Sequence, residues 1–174
     1  MTTPSPVDVR WLSEPEQLAW RAFLDMQAQL NARLNREMQD ASGLSSADFA
    51  VLVPLSEHPD GKLRVLELAR HLRWEKSRLS HQLTRMGQRG LIERSHCSED
   101  RRGAFIVLTD AGRGAVEAAA PAHVEAVRKY LFDGLTAGQL DVLHDISRGV
   151  IRALDEACAD RSDECGGEPD ASDE

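Results

Sequence analysis

The chain contains no run of the roughly 18 apolar residues that a bilayer-crossing helix requires. Its opening stretch, MTTPSPVDVRW, lacks the basic segment followed by an apolar one that marks a secretory leader. Cysteine is scarce: Cys97, Cys158 and Cys165 are too few and too irregularly spaced for a disulfide framework. A reducing, cytoplasmic setting without membrane insertion is therefore expected. Aromatic residues make up only 5%, so a core must rest on Leu, Val and Ala. There is no Gly-rich phosphate loop, no nucleophile elbow and no pair of carboxylates in an apolar setting, so neither enzymatic activity nor a cofactor is expected. His58, His71, His81 and His96 are scattered, and His123 and His144 fall on separate expected helices. That leaves no metal-ligand spacing, and no metal is expected.

What is present is a chain of 174 residues with 41% hydrophobic content, enough for one domain with extensions. The net charge of −8 conceals an asymmetry. Residues 60–102 hold 11 Lys/Arg against 6 Asp/Glu, while the rest of the chain holds 10 against 23. From Asp155 onward there are nine acids and one base, Arg161. A basic middle between acidic ends is the distribution that a focused polyanion site needs.

Periodicity orders the elements. Residues 1–13 are aperiodic and read as a flexible arm. Residues 14–40 read as a long helix whose apolar stripe is Leu18, Ala22, Met26, Leu30, Leu34 and Met38, widened by Ala19 and Phe23; Ser42 and Gly43 end it. Ser45 and Asp48 stand as in a capping box, with Leu44 and Phe49 at the staple positions, and open a helix running to about Glu57. Pro54 is expected to bend it. After the turn His58-Pro59-Asp60-Gly61 come a short strand over 63–65 and a short helix over 66–72, with Leu66, Leu68, Ala69 and Leu72 apolar. Arg73-Trp74 makes a turn into a helix over 75–88, held by Leu79, Leu83 and Met86 and stopped at Gly90. Two strands, 91–96 and 104–108, flank the polar hairpin 97–103. Thr109 or Asp110 starts a helix to about Phe132, interrupted by Pro121. Thr136 caps the last, with Leu140, Leu143, Ile146, Val150, Ile151 and Leu154 as its apolar face. The acidic tail, 158–174, is expected to be disordered.

A short helix, a tight turn and a second helix with a narrow apolar stripe match a helix-turn-helix. The second helix must be held to the core along one line and leave donor-rich side chains free for base edges and phosphates. Residues 75–88 meet this requirement, with Ser, His, Gln and Arg on the other faces. The hairpin adds an independent signal, because Arg101 and Arg102 sit at its tip, from which a guanidinium reaches a minor groove. Asp100 beside them would orient an arginine by a fork-like pair.

These residues, namely Leu68-Ala69 with Leu72, Ser77-Arg78-Leu79-Ser80, Leu83-Thr84 with Met86, Gly90-Leu91-Ile92-Glu93-Arg94, and Asp100-Arg101-Arg102 followed by Leu108-Thr109 and Gly112, resemble the MarR family of bacterial transcriptional regulators. The resemblance implies a mainly α fold with a small antiparallel β-wing, a winged helix-turn-helix at about 45–109. Dimerisation helices at about 14–41 and 110–157 would flank it within a domain spanning 14–157. It implies a homodimer that binds a pseudo-palindromic operator in double-stranded DNA, acts as a repressor and is released by a small-molecule effector. The expected DNA contacts are Lys76, Ser77, Arg78, Ser80, His81, Gln82 and Arg85 on the helix and Asp100, Arg101 and Arg102 on the wing. Arg78, His81 and Gln82 would read base edges. Two positions depart from the pattern: Leu66 and Glu75 stand where Ser or Thr caps are expected, and Glu75 would cap only weakly.

Trp20, Phe23, Phe49 and Val53 are the apolar residues expected to line an effector pocket. Cys97, beside His96 and near Arg94, Arg101 and Arg102, is a potential redox site, since positive potential lowers a thiol pKa. Two alternatives stay open: an oxidant-sensing regulator that uses Cys97, and a winged-helix module that pairs with protein instead of DNA.

Overall fold

The computed structural model describes residues 9–96 and 104–164. The chain divides into two compact units, the first ending at Val127 and the second beginning at Arg128.

In the first unit α1 (Glu14–Ser42) ends where Gly43 adopts φ 68° and donates its amide to the Gln39 carbonyl. That left-handed geometry costs a glycine nothing. α2 (Ser46–Glu57) begins at the expected box: the Asp48 amide donates to Ser45 Oγ at 3.1 Å, and the Ser45 amide and hydroxyl donate back to the carboxylate at 2.9 and 2.8 Å. Pro54 lies inside α2 without ending it. β1 (Lys62–Arg64) leads into α3 (Val65–Leu72), a left-handed turn at Arg73 (φ 52°), and α4 (Lys76–Gln88). β2 (Ile92–His96) and β3 (Ala104–Leu108) follow. The sheet order is β1-β3-β2, antiparallel throughout, with Leu63 opposite Ile106 and Arg94 opposite Ile106 on the other side. Ile106 is thereby central and fully buried.

The core of this unit is one aliphatic cluster. Met38 and Leu44 come from the α1–α2 junction, Val51, Leu52 and Leu55 from α2, and Leu68 from α3. Leu79, Leu83 and Met86 come from α4, and Ile92 and Ile106 from the strands. Burying a Leu-sized side chain is worth roughly 1.5–3 kcal/mol, so the three α4 anchors alone hold that helix firmly. α5 (Asp110–Val127) contributes Val116 and Ala119 and packs along α1 and α2. Thr109, the residue before it, accepts from the Gly112 amide at 3.0 Å, and α5 carries Pro121 in its interior. The helix expected to run to Phe132 instead changes to a π-helical turn, Arg128–Phe132.

In the second unit that turn precedes α6 (Ala137–Glu164). Thr136 and Gln139 form a reciprocal box at its start, with bonds of 2.9, 3.0 and 3.3 Å. α6 continues past residue 157 to Glu164, so residues 158–164, expected to be disordered, are helical. Acidic residues disfavour core burial rather than helix, and Glu and Ala sustain it. Residues 165–174 lie outside those described. Among the described residues no helix is long and apolar enough to cross a membrane.

Two apolar stripes find little or no cover among the described residues. On α1, Leu18, Trp20, Phe23 and Met26 are exposed, and only toward Met38 does the stripe enter the core. On α6, Leu140, Ile146, Val150, Ile151 and Leu154 are exposed. Leu66, counted above among the apolar face of its helix, is exposed as well, since α3 turns Leu68 and Ala69 inward.

Candidate nucleic-acid interface

The narrow stripe of α4 fixes which of its side chains remain available. With Leu79, Leu83 and Met86 inside, Lys76, Ser77, Arg78, Ser80, His81, Thr84 and Arg85 are all exposed. Arg78, His81 and Arg85 fall at i, i+3 and i+7 and share one stripe. Trp74, part-buried against the core just before α4, supports Arg78, whose guanidinium lies 4.2 Å from the indole centroid. Such a contact contributes about 0.5–1 kcal/mol at an exposed site. The guanidinium carries the N–H donors that read guanine or phosphate. Glu75, at the N-cap, makes no side-chain cap bond. The first-turn amides of α4 therefore lack that partner. On α3 the Glu67 carboxylate takes the cap's place, accepting from the Arg64 amide at 3.0 Å.

Gln82 departs from expectation. It is only 3% exposed and does not belong to the free face of α4. Its amide nitrogen donates to Asp48 Oδ1 at 2.7 Å, and its carbonyl oxygen accepts from Arg85. Asp48, itself 3% exposed, also accepts from Arg89 Nη1 at 2.7 Å. Arg89 Nη2 in turn donates to the Gly43 carbonyl at 3.1 Å. Burial pushes the Asp48 carboxyl up, but the Ser45 amide and hydroxyl together with the Arg89 guanidinium outweigh it and hold the carboxyl below its ordinary value. Sequence reasoning missed this network because Asp48 has a sufficient local role as a cap, and its partners lie 34 and 41 residues away.

Other basic side chains also went unassigned in the sequence. Arg94, on β2, donates to the Ser80 carbonyl at 3.5 Å. Lys62 and Arg64 lie over the Phe105 ring at 5.9 and 4.9 Å. Their alternation along β1, opposite an aromatic strand residue, was the available signal.

The expected wing contacts Asp100, Arg101 and Arg102, and Cys97, lie outside the described residues. Two ring contacts involve three of the four expected pocket residues. Trp20 stacks on Phe23 along α1, with centroids 5.8 Å apart. Phe49 packs on His123 of α5 at 4.8 Å, and Val53 packs against the core. The His123 Nδ1 is buried without a hydrogen-bond partner among the described residues, and burial pushes that imidazole's pKa down. Among the described residues no three His, Cys, Asp or Glu side chains group as metal ligands would.

A winged helix-turn-helix with an anchored, donor-rich second helix is the class that fold and site define. The family model for the MarR family matches residues 44–103. Two solved structures from Streptomyces coelicolor align over most of the chain. Sco3205, a MarR family transcriptional regulator in complex with DNA, is 39% identical, with 84% of this chain and 92% of that one covered and a TM-score of 0.81. AbsC, a MarR family transcriptional regulator, is 38% identical, with 85% and 99% covered and a TM-score of 0.80. The HTH-type transcriptional repressor YetL of Bacillus subtilis is 28% identical over 101 residues, which span 56% of this chain and 60% of YetL. The chain belongs to the MarR family of transcriptional regulators, which are not enzymes.

Proposed function

We propose that the protein is a homodimeric repressor that binds a pseudo-palindromic operator in double-stranded DNA. The observation that carries the reading is the outer face of α4: Lys76, Ser77, Arg78, Ser80, His81 and Arg85 are exposed on a helix locked to the core by three buried anchors. A helix held this way is stiff enough to enter a major groove without losing its register. Sco3205, similar over most of its length, has been crystallised with DNA, and YetL is a repressor; both support this role. The exposed apolar stripes of α1 and α6 supply the surface that a second copy would cover. Asp100, Arg101 and Arg102 are assigned to the wing contact on the family pattern.

A small molecule is proposed to release the DNA. The feature that favours this is the buried, partnerless Nδ1 of His123 against Phe49, between α5 and α2. A small aromatic molecule with a hydroxyl would satisfy that nitrogen and stack on the ring, and α2 carries the core that seats α4. Trp20, Phe23 and Val53 are proposed as further apolar lining of such a site.

Selection of bound duplexes from the source genome tests the main reading. The expected product is a set of fragments sharing an inverted repeat with half-sites about one helical turn apart. Recovery of fragments without a common motif would refute it.

A further inference from the structure

The polar chain that ties α4 to the α1–α2 junction is buried at its centre, the Gln82–Asp48 bond, and ends at an exposed side chain on the free face of α4. It runs from the Gly43 carbonyl through Arg89, Asp48 and Gln82 to Arg85. Every link has a fixed polarity. A carboxylate only accepts and a guanidinium only donates, so the Gln82 amide has one permissible orientation between them. Reversed, it would set a carbonyl against Asp48 and an NH2 group against Arg85. Asp48 therefore determines which end of Gln82 faces Arg85. Its own position is set in turn by the two Ser45 donors and Arg89. Gln82 and Asp48 are both nearly inaccessible, so neither touches a ligand of α4 directly.

We propose that Asp48 and Gln82 are positioning residues for DNA binding, holding the Arg85 guanidinium in one orientation on α4. The proposal rests on the reading of α4 as the DNA-contacting helix. A free arginine loses much rotamer entropy when it engages phosphate or base, whereas one ordered beforehand loses less. Arg85 shares its stripe with Arg78 and His81. Arg78 is ordered from the outside by Trp74, and Arg85 is ordered from within by Gln82. The relay also joins the end of α1 to the DNA-facing surface, so a shift of the Gly43 carbonyl is felt at Arg85 through Arg89 and Asp48.

The test is a double-mutant cycle on the full-length dimer, with a duplex selected by the unaltered protein as probe. Gln82→Met keeps the buried volume and removes the bond to Arg85; Arg85→Ala removes the contact itself. Each is expected to weaken binding about tenfold, and the double variant by about the same factor, because both remove one interaction. Multiplicative losses near a hundredfold, or a Gln82→Met variant that binds like the unaltered protein, would overturn the relay. Arg78→Ala separates the two readings. If it weakens binding while Gln82→Met does not, the relay alone falls; if the unaltered protein binds no duplex, both fall. A readout independent of variant folding is the Arg85 guanidinium in the free, unaltered protein by nitrogen NMR. Hindered rotation with resolved Nη protons is expected, and free rotation would count against the proposal.

Discussion

Gly112 shows why the pattern Leu-Thr-x-x-Gly has the residues it has. A Cβ there would fall 2.0 Å from the Leu91 carbonyl oxygen and 2.9 Å from Leu108 Cδ1. The first turn of α5 thus lies directly on the backbone that enters β2. Thr109 stitches the same junction, donating to the Gly90 carbonyl at 2.7 Å and accepting from the Gly112 amide at 3.0 Å. Gly112→Ala must push backbone apart and is expected to cost about 3 kcal/mol in urea unfolding. Three described groups have shifted pKa values, and two of them, His123 and Asp48, lie at least partly inside the fold and bear on the acid side of stability. His123 is held neutral by burial, with its folded pKa below 6.5. The unfolded chain binds the extra proton between the two values, so stability is full above 6.5 and falls as pH drops toward the folded value. His123→Phe should remove that limb from a plot of unfolding free energy against pH. Asp48 acts at lower pH: its folded carboxyl lies below 3.8, so its contribution is present above 3.8 and lost as pH falls through the folded value. Asp48→Asn should flatten that lower limb.

The elements divide into those the chain completes by itself and those it leaves open. α2, α3, α4 and the sheet bury their apolar sides in one cluster. α6 buries none among its described side chains, although its stripe repeats as regularly as that of α4. A helix with this stripe in water needs a partner surface. Placing a carboxylate in that stripe by Ile146→Asp, at a residue 61% exposed in one chain, should cost little within the subunit. It should shift sedimentation from dimer to monomer and reduce operator affinity with it. Unchanged sedimentation would show that this face of α6 does not form the dimer.

At the scale of the whole molecule, an acidic protein with net charge −8 must approach a polyanion. The Debye length at physiological ionic strength is about 8 Å, so a phosphate next to α4 senses Lys76, Arg78, Arg85 and Arg94 more than distant acids. Binding by several such contacts releases counterions. Operator affinity should therefore fall steeply between about 50 and 200 mM salt, linearly on logarithmic axes. A shallow dependence would point to a protein partner instead.

The sequence by itself determined the order and kind of the elements. Apolar periodicity, the Ser45–Asp48 and Thr136–Gln139 boxes and the glycine stops act over a few residues, and so are legible locally. It also determined which side of α4 faces the core, because Leu79, Leu83 and Met86 define one line. Tertiary structure alone decided the fate of Gln82, which sits beside that line and could face either way until Asp48 of α2 supplied an acceptor. It decided likewise that Leu66 stays outside. In each case the deciding partner, or the lack of one, belongs to chain far away in sequence. Local pattern carries no information about such neighbours, whereas burial and hydrogen bonding depend on nothing else.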